Sequence, residues 1–217
     1  MIYDGSLTVK IGKRIKFNDT SFGVSAREKT KEISTFFKEN FNLLRNEIEQ
    51  VGYFEGVLLS NYRYKGTELF QAVKKDYNQN KQLYKDVADL LPLKAKIAHL
   101  ADDYGQLDIL LVSHSLDRKI TTFIADKEKR AIATNCYTAI HKKIKYAEVI
   151  NELNSGEKET LIVSSEDVGI NKLAKNLSLS HLKEIILIKN NTLVAHFKSA
   201  GFVAQKQVDL PIIYLKK

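Results

Sequence analysis

From residue 160 to the end of the chain, apolar runs too short to be helices alternate with segments of helical period, and nothing else in the sequence constrains the fold as tightly. "TLIVSS" and "EIILIK" predict strands, and "FVAQKQV" and "IIYLK" predict two more at the end. Between them a helix is expected from about Asp167 to Leu179, with Asp167 as its N-cap, and a second from Thr192 to Ala200. Leu193, Val194, Phe197 and Ala200 share one helical face, and Gly201 follows where a stop belongs. Strands joined through a helix run in the same direction, so this order implies a sheet with parallel neighbours.

Upstream the pattern changes. "SLTVKIGKRIKF" predicts a hairpin with a three-residue loop, Ile11 to Lys13, which pairs Val9 with Ile15 and Leu7 with Phe17. A long helix is expected after Ser25, which forms a capping box with Glu28, and it ends near Gly52. "YFEGVLLSNY" is expected to be a strand, a second long helix to start near Thr67, and "LKAKIAHLA" to continue as helix after Pro92. "LDILLV", "ITTFIA" and "RAIAT" read as strands, and "YTAIHKKIKYAEVINELNSG" as helix up to Gly156. The expected class is α+β or α/β. Residues 1–100 would form a helix-rich part with its N-terminal hairpin, and residues 101–217 a mixed sheet with βαβ units; the boundary is a domain junction or a loop within one domain.

Composition narrows the function classes. At 217 residues, with 44% hydrophobic and 28% charged residues, the chain has enough apolar mass for a core and is far from a disordered composition. Cys136 is the only cysteine, so an intrachain disulfide is excluded and a cysteine-based zinc site would need ligands of other kinds. With no apolar leader and no run long enough to span a bilayer, the expectation is a cytoplasmic protein with no membrane partner.

A net charge of +8 favours a polyanionic partner. In the hairpin register above, Lys10 lies opposite Arg14, Lys16 joins them on the same face, and Lys13 sits at the tip. Lys142, Lys143 and Lys145 extend the basic surface. The leading expectation is therefore non-enzymatic binding of DNA or RNA by a mobile-element or regulatory factor, using those seven cations. A homodimer or a protein partner met through the helical face is a further alternative.

The competing expectation is a small-molecule enzyme of transferase type. In open α/β sheets ligands bind beyond the carboxyl ends of the strands, and the loops there hold Ser164, Ser165 and Asp167, then Lys189, Asn190 and Asn191. No cofactor is expected, because "SSEDVGIN" has only Gly169 where a phosphate cradle needs several glycines. No metal site is expected either: the five histidines are scattered, and Asp102, Asp103 and Asp108 suit turns and caps better than Mg²⁺. Cys136 reads as a buried thiol, and "VSHSLD" as a turn.

"KNNTLVAHFKSAGFVAQKQVDLPIIYLKK" resembles the last helix and strands of GNAT acyltransferases, and "VGINKLAKNL" with "KNNT" and "SAGF" resembles the tail of GTP cyclohydrolase II. The first family implies a glycine-rich pyrophosphate loop that "SSEDVGIN" does not supply. The second implies three zinc-binding cysteines where this chain has one.

Overall fold

The computed structural model describes residues 11, 12, 14, 25–50, 52–136, 144–154, 157–207 and 212–217. The chain divides into two compact units, Met1–Gly56 and Val57–Lys217.

The first unit contains α1, Ala26–Gln50. Its start is the expected capping box: the Glu28 N–H donates to Ser25 Oγ at 3.2 Å, and the Glu28 carboxylate accepts from the Ser25 amide at 3.1 Å and hydroxyl at 2.7 Å. Of the hairpin cations only Arg14 is among the described residues, and it is exposed. The hairpin expectation, with Lys10, Lys13 and Lys16, lies outside them, as do Lys142 and Lys143.

The helix α2, Tyr53–Ser60, crosses the unit boundary where a strand was expected. Phe54 and Leu58, four residues apart, are both buried, which is a helical stripe rather than a strand alternation. The long helix α3, Thr67–Leu90, is as expected. It is followed by β1 (Lys96–Ala101), α4 (Gln106–His114), β2 (Lys119–Ile124), α5 (Lys127–Thr134), β3 (Ile144–Ala147) and a 3₁₀ turn, Ile150–Leu153. The rest follows the sequence pattern closely: β4 (Thr160–Val163), α6 (Val168–Lys175), β5 (Glu184–Ile188), α7 (Val194–Ser199), β6 (Val203–Gln207) and β7 (Ile212–Lys216).

Four expectations are corrected in the middle of the chain. "KIAHLA" is a strand and not a continued helix, because it lies inside the sheet between β2 and β4 and all but its first residue are buried. "LDILLV" is helix α4. It is buried on nearly every side, so it has none of the amphipathic period that marks a helix in sequence. "RAIAT" belongs to α5, started by Asp126, whose carboxylate accepts from the amides of Glu128 and Lys129. "IKYA" is strand β3 where a helix through Gly156 was expected, and there Lys145 pairs with Glu152 at 2.5 Å.

The seven strands form one sheet in the order β3-β2-β1-β4-β5-β7-β6. The first five are parallel; β7 runs antiparallel to both β5 and β6. The α/β class with βαβ units is thus the observed architecture. The chain steps outward from β1 to β3, then returns to the centre and steps the other way from β4 to β5. The order reverses between β1 and β4, so loops leaving those two strands diverge and open a crevice at their carboxyl ends.

Strand alternation sorts the two faces. Ala98, Leu100, Leu161, Val163, Ile185 and Leu187 face one way and pack with Ile170 and Ala174 of α6 and Phe197 of α7. The intervening residues of β1, among them His99, therefore face the other way, as do Thr122, in register beside His99, and Ser164, two residues after Ile162. Below this second face Arg118, fully buried, donates to the carbonyls of Ala88 and Leu91 at the end of α3 and of Leu111 in α4, satisfying helix-terminal acceptors with a positive charge.

Candidate active site at the carboxyl edge of the sheet

Three strands and one helix converge on a single buried histidine. His99 Nδ1 lies 2.7 Å from Asp108 Oδ1, and His99 Nε2 lies 2.8 Å from Ser164 Oγ. The second oxygen of Asp108 accepts the Thr122 hydroxyl at 2.8 Å. His99, Asp108 and Thr122 are fully buried, whereas Ser164 is partly exposed at the end of β4. The chain Thr122–Asp108–His99–Ser164 thus runs from the interior to the crevice mouth at the β1/β4 reversal.

The electrostatics follow from that order. Burial disfavours the imidazolium form of His99, but the Asp108 carboxylate, helped by Asp103, outweighs it and holds the His99 pKa above its ordinary value. With the neutral ring protonated at Nδ1 toward Asp108, Nε2 accepts from the Ser164 hydroxyl. A hydroxyl bonded to a ring nitrogen, with the ring oriented by a buried carboxylate, is the arrangement that activates an alcohol as a nucleophile.

The loops around Ser164 are tied to each other. Asn190, fully buried, donates from Nδ2 to the Ser165 carbonyl and to Asn171 Oδ1, both at 2.6 Å, and its own Oδ1 accepts the Thr192 hydroxyl. Ser165 Oγ accepts the Asp167 amide, and Asp167 caps α6 through the amides of Gly169 and Ile170, as expected. Lys189 takes a positive φ of 53° and donates to Asn80 Oδ1 at 2.9 Å, while Asn191 is exposed beyond it. Of the six residues expected in this pocket, Ser165, Asp167 and Asn190 shape the loop and Ser164 joins His99.

The other loop of the crevice, after β1, is occupied by its own contacts. The Asp102 carboxylate and carbonyl bind Lys129 Nζ at 2.8 and 2.9 Å. Asp103 accepts the Gly105 amide at 2.9 Å and the Leu107 amide at 3.5 Å, Gln106 Oε1 accepts the Tyr104 amide, and the Tyr104 carbonyl accepts the Tyr62 hydroxyl. Gly105 has a φ of 88°, and a Cβ there would collide with the Tyr146 hydroxyl and sit 3.1 Å from Ala133 Cβ. Burial pushes the Asp103 pKa up to about 6 despite the nearby His99 and the two amides.

Sequence reasoning missed His99 and Asp108 as a pair, because "KIAHLA" was assigned to a helix and "LDILLV" to a strand. The usable signal was parity: once β1 and β2 are strands in register, His99 and Thr122 share a face. Cys136 is buried, and burial raises its thiol pKa. Among the described residues no group of three or more His, Cys, Asp or Glu is placed to hold a metal ion. Nor is any described helix long and apolar enough to cross a membrane.

The fold is a doubly wound α/β sheet with an antiparallel β7. Solved structures share it. A Staphylococcus aureus protein described as a candidate caffeoyl-CoA O-methyltransferase superposes with a TM-score of 0.53 at 11% identity, over 74% of this chain and 97% of that one. A protein of the NADB-Rossmann superfamily from Streptococcus agalactiae gives 0.52 at 16% identity, over 61% and 66%. A candidate RNA methyltransferase from Pyrococcus horikoshii gives 0.50 at 14% identity, over 64% and 82%. No family model and no curated protein sequence matches the chain. At these identities the likeness is one of fold. The leading expectation from charge, a non-enzymatic nucleic-acid-binding factor, is corrected against it: solved structures that share the fold are described as methyltransferases.

A nucleoside-type cofactor, such as the methyl donor such folds imply, needs open backbone at the first strand-to-helix turn and free amides at the helix start. Here that turn reads Ala101-Asp102-Asp103-Tyr104-Gly105. Asp103 accepts the Gly105 amide and, at 3.5 Å, the Leu107 amide of α4, and the space beside the one glycine is filled by Tyr146. At the end of β2, where an acidic residue would meet a ribose, Ile124 is buried and the exposed Asp126 caps α5 through one carboxylate oxygen. A turn with a single glycine backed by Tyr146 lacks the open backbone of a glycine-rich loop and fits such a cofactor poorly.

Proposed function

We propose that this chain is a small-molecule enzyme of transferase type whose reacting centre lies at the β1/β4 reversal, beside Ser164, and not in the turn after β1. The observation that carries this reading is the hydrogen-bonded series Asp108–His99–Ser164, buried at one end and open at the other, at the position in the sheet where α/β folds hold ligands. The enzyme scaffold shared with transferase structures supports it. Methyl transfer from an adenosyl donor is not carried over, since the turn that would hold the donor has one glycine, with Tyr146 against it and Asp103 on its amide. Lys189, exposed at the rim and bonded to the neutral Asn80 amide, supports a donor that carries negative charge.

A ligand that binds only the folded state raises its melting temperature, by about 2.7 kcal/mol of stability at a hundred times its dissociation constant. Coenzyme A thioesters, nucleoside phosphates and S-adenosylhomocysteine, each screened by thermal shift, separate the readings. The expected result is stabilisation by an anionic donor of the first two classes and none by S-adenosylhomocysteine. Stabilisation by S-adenosylhomocysteine alone would overturn the reading.

A further inference from the structure

Resting on that reading, we propose that Ser164 is a covalent nucleophile for acyl transfer, with His99 as its base and Asp108 as the group that orients His99, so that the substrate class is an activated ester or thioester. The three residues come from different elements: β1, α4 and the loop after β4. Such triads are recognised by geometry and not by order along the chain. Both hydrogen bonds that the role demands are present, at 2.7 and 2.8 Å, and each involves a different nitrogen of the ring. Asp108 has no solvent to lean on; the Thr122 hydroxyl and the His99 ring are its bonded partners, which fixes the carboxylate in the plane of its task. Ser164 is the member that reaches the crevice, as a nucleophile must.

The step balances without a redox partner. The Ser164 Oγ–H bond breaks as its proton passes to His99 Nε2, and the Oγ lone pair forms a bond to the acyl carbon. The bond from that carbon to the leaving alcohol or thiol then breaks, and the leaving group takes the proton from His99. In the second half an acceptor hydroxyl or amine, or water, gives a proton to His99 and attacks the acyl-serine, and Ser164 recovers its hydrogen. The groups facing His99 are Asp108 from α4, Asp103 from the turn after β1, Thr122 from β2 and Ser164 itself. Since Asp108 and Asp103 favour the imidazolium, Ser164 reactivity rises with pH as His99 loses its proton.

A fluorophosphonate probe, which phosphonylates serines activated in this way, tests the proposal by intact mass and peptide mapping on the wild-type chain. The expected result is one adduct on the peptide containing Ser164, forming faster as pH rises, absent in Ser164→Ala and slowed about 100-fold or more in His99→Gln. Thr122→Val, which leaves the three reacting groups in place, keeps the adduct with a shifted pH profile. An adduct on any other serine, or none on folded wild-type protein, overturns the covalent route. If thioesters still raise the melting temperature in that case, the transferase reading stands without it; if they do not, both fall.

Discussion

Asp103 shows how one side chain takes two opposing demands. Its carboxylate caps α4, a task for the ionised form, in a place where burial favours the neutral one, and the outcome is a pKa near 6 rather than 3.8. A carboxyl whose folded pKa is raised binds protons more readily in the native state, so its contribution to stability falls as pH rises from about 4 to about 6. Asp103→Asn keeps an oxygen for the Gly105 amide and removes the titration. Relative to wild type, the variant is expected to gain stability across that interval, on the order of 2 kcal/mol by pH 7. Urea denaturation of both proteins at pH 4, 5, 6 and 7 checks this, and a difference that does not change with pH would refute it. His99, two strands of argument away in the sequence reading, is the same kind of residue: a buried titratable group whose meaning comes entirely from neighbours that a linear reading does not place beside it.

At the scale of elements, legibility tracked locality. Asp167, Gly201 and the short runs "TLIV" and "EIILI" act through neighbours in sequence, and the strands and helices of residues 160–216 were legible from them. β1 and α4 were not. β1 is rich in residues that favour helices and becomes a strand only because β2 and β4 flank it; α4 is buried all round and so carries no period. That pair of elements holds His99 and Asp108, so the error in the fold was also the error in the site, and only Ser164 and its loop were visible beforehand. The turn joining β1 to α4 carries its own test. Gly105→Ala must strain a positive φ and displace the Tyr146 ring, at an expected cost of about 3 kcal/mol, while Tyr146→Phe alone removes a buried hydroxyl that has no hydrogen-bond partner. Since the two changes share one space, the double variant should lose about 1 kcal/mol less than the sum of the singles, measured by a double-mutant cycle. Strict additivity would mean that Tyr146 does not fill the turn.

At the scale of the whole molecule, the sheet order decides where chemistry belongs. Charge suggested a polyanion partner because +8 is visible in any sequence, whereas the reversal between β1 and β4 exists only once seven strands are paired. At this reversal one wall, the turn after β1, has Asp103 on the Gly105 amide, Lys129 on Asp102 and Tyr146 beside Gly105, and the other, after β4, holds a partly exposed serine. The proposed chemistry turns on His99 accepting from Ser164 and donating to Asp108. Nitrogen-15 NMR of histidine-labelled protein, at a pH high enough to leave His99 neutral, reads this directly. A slowly exchanging proton on Nδ1 that disappears in Asp108→Asn, with Nε2 unprotonated, is expected; a neutral His99 protonated on Nε2 would make Ser164 an acceptor and contradict this geometry.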